Sequence, residues 1–120
     1  MSEHDEQVAL FQFLVVHESR HPELKMVFAI PNGGHRHIAT ARKMKAEGVR
    51  PGVLDICVPC PRGGFTGLWV EMKFGKNKLS PQQEEWREMM LREGWQVVVC
   101  YDWAAAAKNV FAYFGINWRL

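Results

Sequence analysis

Apolar positions along the chain fall into helical runs and short strand-like runs, divided by turns rich in glycine and proline. From Ser2 to about Ser19 the reading is helical. Ser2 and Asp5 have capping-box spacing, and Glu3, Asp5 and Glu6 suit the positive end of a helix dipole. Val8, Ala9, Leu10, Phe11, Phe13, Leu14, Val15 and Val16 then cover nearly every face. Such a helix is expected to be buried on more than one side, within the fold or against a second subunit. His21-Pro22-Glu23 breaks it. Met26 to Ile30 predicts a short buried strand, closed by Pro31-Asn32-Gly33-Gly34. A second helix is expected over about Ile38 to Glu47, with Gly48 at its C-cap.

The stretch from Gly48 to Lys73 reads as two strands joined by a turn at Arg62-Gly63-Gly64. Ser80-Pro81-Gln82-Gln83 then opens a helix: serine as N-cap, proline at the first position, glutamine at the third as the capping-box partner. Trp86, Met89 and Met90 give that helix an apolar stripe, and Gly94 ends it. Trp95 to Tyr101 predicts a strand central enough to be covered on both faces. Asp102 can cap a last helix, Trp103 to about Phe114. The order αβαββαβα implies a single α/β domain over residues 1–120, a mixed sheet flanked by helices.

Composition narrows the class without naming a partner. The chain has 120 residues, 48% hydrophobic and 23% charged, which suits one globular core. A net charge of +2 means that any basic surface must come from uneven placement. No apolar run approaches the ~20 residues of a membrane span, and the acidic start is unlike a secretory signal. Three cysteines argue against a disulfide framework, so a reducing, cytoplasmic setting is expected.

Against that background the charges in the predicted hairpin stand out. Asp55 lies among Val53, Leu54, Ile56 and Val58, and Glu71 and Lys73 flank Met72 on the second strand. Charged residues are seldom buried unless paired or bound to a metal. Alternation puts Glu71 and Lys73 on one face and Met72 on the other, and a hairpin can set Asp55 beside Glu71. Two converging carboxylates suit a hard divalent cation such as Mg²⁺, and a neighbouring lysine suits a water or a phosphate. A buried structural ion pair explains the same residues. His35, Arg36, His37, Arg42, Lys43, Lys45 and Arg50 fall within sixteen positions, either a solvated face or a phosphate-facing stripe. Glu6, one turn before Leu10, begins a buried face or is a solvated first-turn acid.

Two other readings compete. Cys57-Val58-Pro59-Cys60 has the spacing of half a zinc knuckle, with His35 and His37 as further ligands, yet no second such pair exists. A redox pair needs a helix starting after the motif, and a turn is expected there; plain burial of Cys57 and Cys100 is the default. A non-catalytic nucleic-acid-binding module is the other class. Trp69, Trp86, Trp95 and Trp103 all lie on elements, where they read as core and not as a stacking platform.

Asp55 followed by Glu71-Met72-Lys73 resembles the PD-(D/E)xK nuclease superfamily. The chain as a whole resembles its virus-type replication-repair nuclease (VRR-NUC) family in the small, stand-alone phage or bacterial form. Glu6-Gln7, Ile30-Pro31-Asn32-Gly33-Gly34, Gly48-Val49-Arg50-Pro51-Gly52-Val53-Leu54-Asp55, Glu71-Met72-Lys73 and Leu79-Ser80-Pro81-Gln82-Gln83 carry the likeness. Leu54 departs from it, standing where the family usually has proline. The resemblance implies a restriction-endonuclease-like core and hydrolysis of phosphodiester bonds in DNA. It implies Mg²⁺ or Mn²⁺ held by Asp55, Glu71 and the Met72 backbone carbonyl, with Glu6 reaching the ion through water. Lys73 would be the catalytic lysine, and Gln83 a further site residue compatible with its capping role. Asn32, His35, Arg36, Arg42, Lys43, Arg50, Lys76 and Lys78 would contact DNA. Stand-alone members resemble homodimeric Holliday-junction resolvases, which implies branched DNA as partner. A flap or general structure-selective nuclease is the alternative.

Overall fold

A computed structural model describes residues 2–32 and 37–118. Helix α1 spans Glu3–His17, and its predicted capping box forms: the Ser2 hydroxyl accepts from the Asp5 N–H, and the Asp5 carboxylate accepts from the Ser2 N–H. A 3₁₀ turn over Pro22–Met26 leads to β1, Phe28–Ala29, and then to α2, Ile38–Ala46, capped by the His37 ring. Strands β2, Ile56–Val58, and β3, Leu68–Met72, form the expected hairpin. Helix α3, Pro81–Arg92, precedes β4, Gln96–Cys100, and α4, Trp103–Phe114, closes the chain.

The strands make one sheet in the order β1-β2-β3-β4. β1 and β2 pair antiparallel, as do β2 and β3, and β4 runs parallel to β3 through the α3 crossover. Leu10 and Leu14 of α1, with Ala106, Ala107, Val110 and Phe111 of α4, cover the face that carries Ile56, Val58, Val70 and Met72. The opposite face, with Cys57 and Trp69, is covered by Trp86 and Met90 of α3. This is the α/β fold and element order that the sequence implies. No helix of the described residues is long and apolar enough to cross a membrane.

Two strand expectations fail, each for a packing reason. The strand expected over Met26 to Ile30 shrinks to two exposed residues, because Pro22 starts a 3₁₀ turn that takes Met26 and leaves β1 at the sheet edge. β4 is covered on both faces, with Val97 in one cluster and Val98 in the other, yet it too lies at an edge. Within the chain α1 is buried along one stripe, Glu6, Leu10 and Leu14, while Val8, Val15 and Val16 remain exposed, so the fold itself does not supply the second expected cover. Met89 of the α3 stripe is likewise exposed.

Candidate active site

The sheet topology brings the charged residues to one end. β2 runs antiparallel to β3, so the residue just before β2 stands beside the last residues of β3. The register Ile56↔Val70 therefore sets Asp55 beside Glu71. β4 ends at the same place, with Cys100 opposite Met72, and the Lys73 N–H donates to the Cys100 carbonyl at 2.9 Å.

Asp55 is fixed from both sides. Its carbonyl accepts from the Ile30 N–H at 2.7 Å, and its own N–H donates to Glu71 Oε1 at 3.0 Å. Its Oδ2 accepts from the Met72 N–H at 3.1 Å, so one carboxylate oxygen is held by the backbone of β3. Glu71 is 2% exposed, and Oε2 meets two partners, the Gln83 side-chain amide at 2.9 Å and Lys73 Nζ at 3.5 Å. Burial pushes the Glu71 carboxyl up to about 7; the neighbouring Asp55 charge adds to the rise and Lys73 opposes it. Lys73 therefore offsets only part of the cost of a charged Glu71.

Gln83 sits here because α3 starts here. Its N–H donates to Ser80 Oγ and its Oε1 accepts from the Ser80 N–H, which leaves Nε2 aimed at Glu71. Close packing holds the two segments together. At Gly52, with φ of +88°, a Cβ would lie 2.6 Å from the Gln82 carbonyl oxygen, so the loop leading to Asp55 approaches α3 where only glycine fits.

The remaining predicted residues fall around this network. The Met72 side chain is in the core, facing away from Glu71 as alternation requires. Glu6, 8% exposed, accepts from the Trp103 N–H at 2.9 Å through Oε1. That bond caps the first turn of α4, at the same end of the sheet but on the helix layer opposite α3. Among the described residues no group of three or more His, Cys, Asp or Glu gathers as a metal cage, so the acid pair is Asp55 with Glu71. Asn32 donates through Nδ2 to the Val53 carbonyl at 2.5 Å and lines a cleft of about 840 Å³ shared with Asp55. Arg50 lines an adjoining hollow with Asn32 and Met44. Arg42 and Lys43 are exposed on α2, and Lys76 and Lys78 are exposed in the loop after β3. His35 and Arg36 lie outside the described residues.

Gln7 and Phe11 also line the cleft beside Asp55 and were not among the expected site residues. The signal was available: on a helix, Gln7 lies ~100° around from Glu6, so a helix that buries Glu6 turns Gln7 outward.

The donor set suits a hard cation. Two carboxylates stand side by side, one of them buried with its charge only partly balanced, and Asp55 opens on the cleft. The cysteines do not converge in this way. Cys57 packs with Trp69 on one face and Cys60 with the core on the other, and burial pushes the Cys57 thiol up to about 11.

Comparison with known proteins bears on the family and the fold. A family model for the VRR-NUC domain matches residues 2–103. A solved structure described as a VRR_NUC domain protein superposes with a TM-score of 0.77 at 24% sequence identity, covering 98% of this chain and 91% of its own. No curated protein matches the chain.

Proposed function

The chain belongs to the VRR-NUC family, and from that premise we propose that it is a divalent-cation-dependent endonuclease of branched DNA, acting as a homodimeric resolvase of four-way junctions. The observation that carries the reading is the bonded set Asp55, Glu71, Lys73 and Gln83 at one end of the sheet, opening through Asp55 on a cleft. A buried structural ion pair would need only Glu71 and Lys73. It would not place a second carboxylate beside them, raising the proton affinity of the first.

Asp55, Glu71 and the Met72 carbonyl would hold Mg²⁺ or Mn²⁺, with Glu6 reaching it through water. Bound there, the cation would lower the pKa of a water and offset the charge of the phosphate. Lys73, tied to Glu71, presents an ammonium that orients the attacking water and stabilises negative charge growing on the phosphoryl oxygens. Water adds to phosphorus and the P–O bond to the leaving sugar oxygen breaks, so one water is consumed for each strand cut. Gln83 keeps the Glu71 carboxylate in place while this happens. Arg42, Lys43, Arg50, Lys76 and Lys78, with Asn32, His35 and Arg36, would contact phosphates, which give affinity without reading sequence. Junction cleavage would place the activity in DNA recombination and repair.

The test is cleavage of a four-way junction in Mg²⁺ by the wild type and by Lys73→Ala and Asp55→Ala. Paired, symmetric nicks on the junction with none on linear duplex support a resolvase, and both variants should lose them while keeping a cooperative melt. Cuts confined to a flapped substrate would shift the reading to a flap nuclease. Wild-type rates in both folded variants would remove the assignment.

A further inference from the structure

We propose that the hollow between α2, α3 and the loop leading to Asp55 takes one unstacked nucleobase of the DNA strand being cut. The proposal rests on the nuclease reading above and names what that site would select, a nucleotide already released from its stack. The hollow is distinct from the acid cleft, since neither Asp55 nor any residue of α1 lines it. It measures about 290 Å³, and Met44, Val49, Val53 and Trp86 make it mainly apolar, with Asn32 and Arg50 as its polar members. An apolar wall with few polar groups suits a flat heterocycle. A phosphate would lose its water there, with one guanidinium to replace it.

Trp86 supplies an aromatic ring for the base to stack on. Trp69 meets it edge to face with ring centres 5.9 Å apart, which braces the indole. Trp86 Nε1 is buried without a hydrogen-bond partner among the described residues, so the ring carries a donor still to be met. A nucleobase offers both a π face and, on its edge, ring-nitrogen and carbonyl acceptors. Charge then favours a base carried on a backbone. Arg42, Lys43, Lys45 and Arg50 are exposed on and after α2, and Glu47 is the one acid among residues 38–50. Phosphates on either side of an extruded nucleotide would meet these cations. Position links the hollow to the acid pair. Asn32, which holds the Val53 carbonyl at 2.5 Å, lines both spaces. Val53 stands two residues before Asp55, no more than about 7 Å of chain, so a strand held at the acid pair has a neighbouring base within reach. Bases in paired duplex stay stacked, whereas an unpaired one costs least to extrude.

The test is DNA binding by the full chain without a divalent cation, so that no strand is cut. Two duplexes serve as probes, one with a single bulged adenine and one with an abasic bulge at the same place. Both carry the same phosphates, so a difference between them reports the base. The wild type should bind the bulged adenine about tenfold more tightly, the size of one stacked base. Val49 is 44% exposed, so Val49→Trp can fill the hollow from its rim and should erase that difference. Met44→Trp fills it from α2 and should do the same, and either variant is read only where circular dichroism matches the wild type. With 2-aminopurine as the bulged base, fluorescence should fall on binding to the wild type and not on binding to the filled variants. Equal binding of the two bulges by the wild type, or a base preference that survives both tryptophans, would overturn the proposal. A base preference in a chain that cuts no DNA in Mg²⁺ would remove the nuclease reading and leave the base site standing. Junction cleavage without a base preference would do the reverse.

Discussion

Gln83 Nε2 donates to Glu71 Oε2 at 2.9 Å while Gln83 Oε1 accepts from the Ser80 N–H, so one side chain both caps α3 and holds the acid. The two roles are separable. Gln83→Glu keeps a capping-box partner but sets a carboxylate against Glu71, whereas Gln83→Ala removes both contacts. We expect Gln83→Glu to retain most of the helix stability and yet lose about 10–100-fold in cleavage, the usual cost of disturbing a group that orients a metal ligand, the role proposed for Glu71. Gln83→Ala should lose activity and also ~1 kcal/mol of stability. Melting curves beside junction cleavage would show it; full activity in Gln83→Glu would reduce Gln83 to a helix cap.

Gly52 tests whether the Asp55 loop must touch α3. An alanine there meets the Gln82 carbonyl at 2.6 Å and also requires a φ of +88°. Gly52→Ala should therefore destabilise by about 1–3 kcal/mol and separate Asp55 from Gln83. Gly63→Ala is the control, since its Cβ meets nothing within 4 Å although its φ is also positive, +56°. Equal effects of the two on cleavage would show that strain matters and close approach does not.

Much of this was legible in the sequence because it is local. The Ser80-Pro81-Gln82-Gln83 cap, the Ser2–Asp5 box and the alternation that sends Glu71 away from Met72 depend on neighbours a few positions apart. The misreadings concern what covers an element, which no local pattern contains. The apolar run of β4 reads as central, but the two helix layers cover its faces while its edge stays open. α1 reads as buried on more than one side because apolar residues look the same whether they face a core, a cleft or a second subunit. The junction of Gly52 with Gln82 joins residues thirty positions apart, and spacing alone could not show it.

Glu6 separates support from chemistry. Its Oε1 holds the Trp103 N–H, so Glu6→Ala leaves that part-buried N–H without a partner and should cost about 1 kcal/mol. Glu6→Gln can keep the bond through its own carbonyl oxygen. If the carboxylate also reaches the cation through water, Glu6→Gln should melt close to wild type and still cut at least about tenfold more slowly. A fully active Glu6→Gln would confine Glu6 to bracing α4.

As the proposed cation ligand, Glu71 would make both stability and cation binding depend on pH, in opposite directions. Burial and the adjacent Asp55 raise its carboxyl from an ordinary 4.5 to about 7 in the folded chain. Below about pH 4.5 both states hold the proton and the contribution is constant. Between about 4.5 and 7 the unfolded chain has released it and the folded chain has not, so metal-free stability falls as pH rises, by ~1–3 kcal/mol in total. A cation needs the ionised carboxylate and must displace that proton below 7, where its affinity drops by up to about tenfold per pH unit for a single released proton. At fixed Mn²⁺ concentration the rise in melting temperature should therefore be clearly larger at pH 8 than at pH 6, and absent in Glu71→Ala at both. A cation-induced shift of equal size at the two pH values would mean that Glu71 is ionised in the free protein, and that Lys73 and Gln83 balance its charge without help.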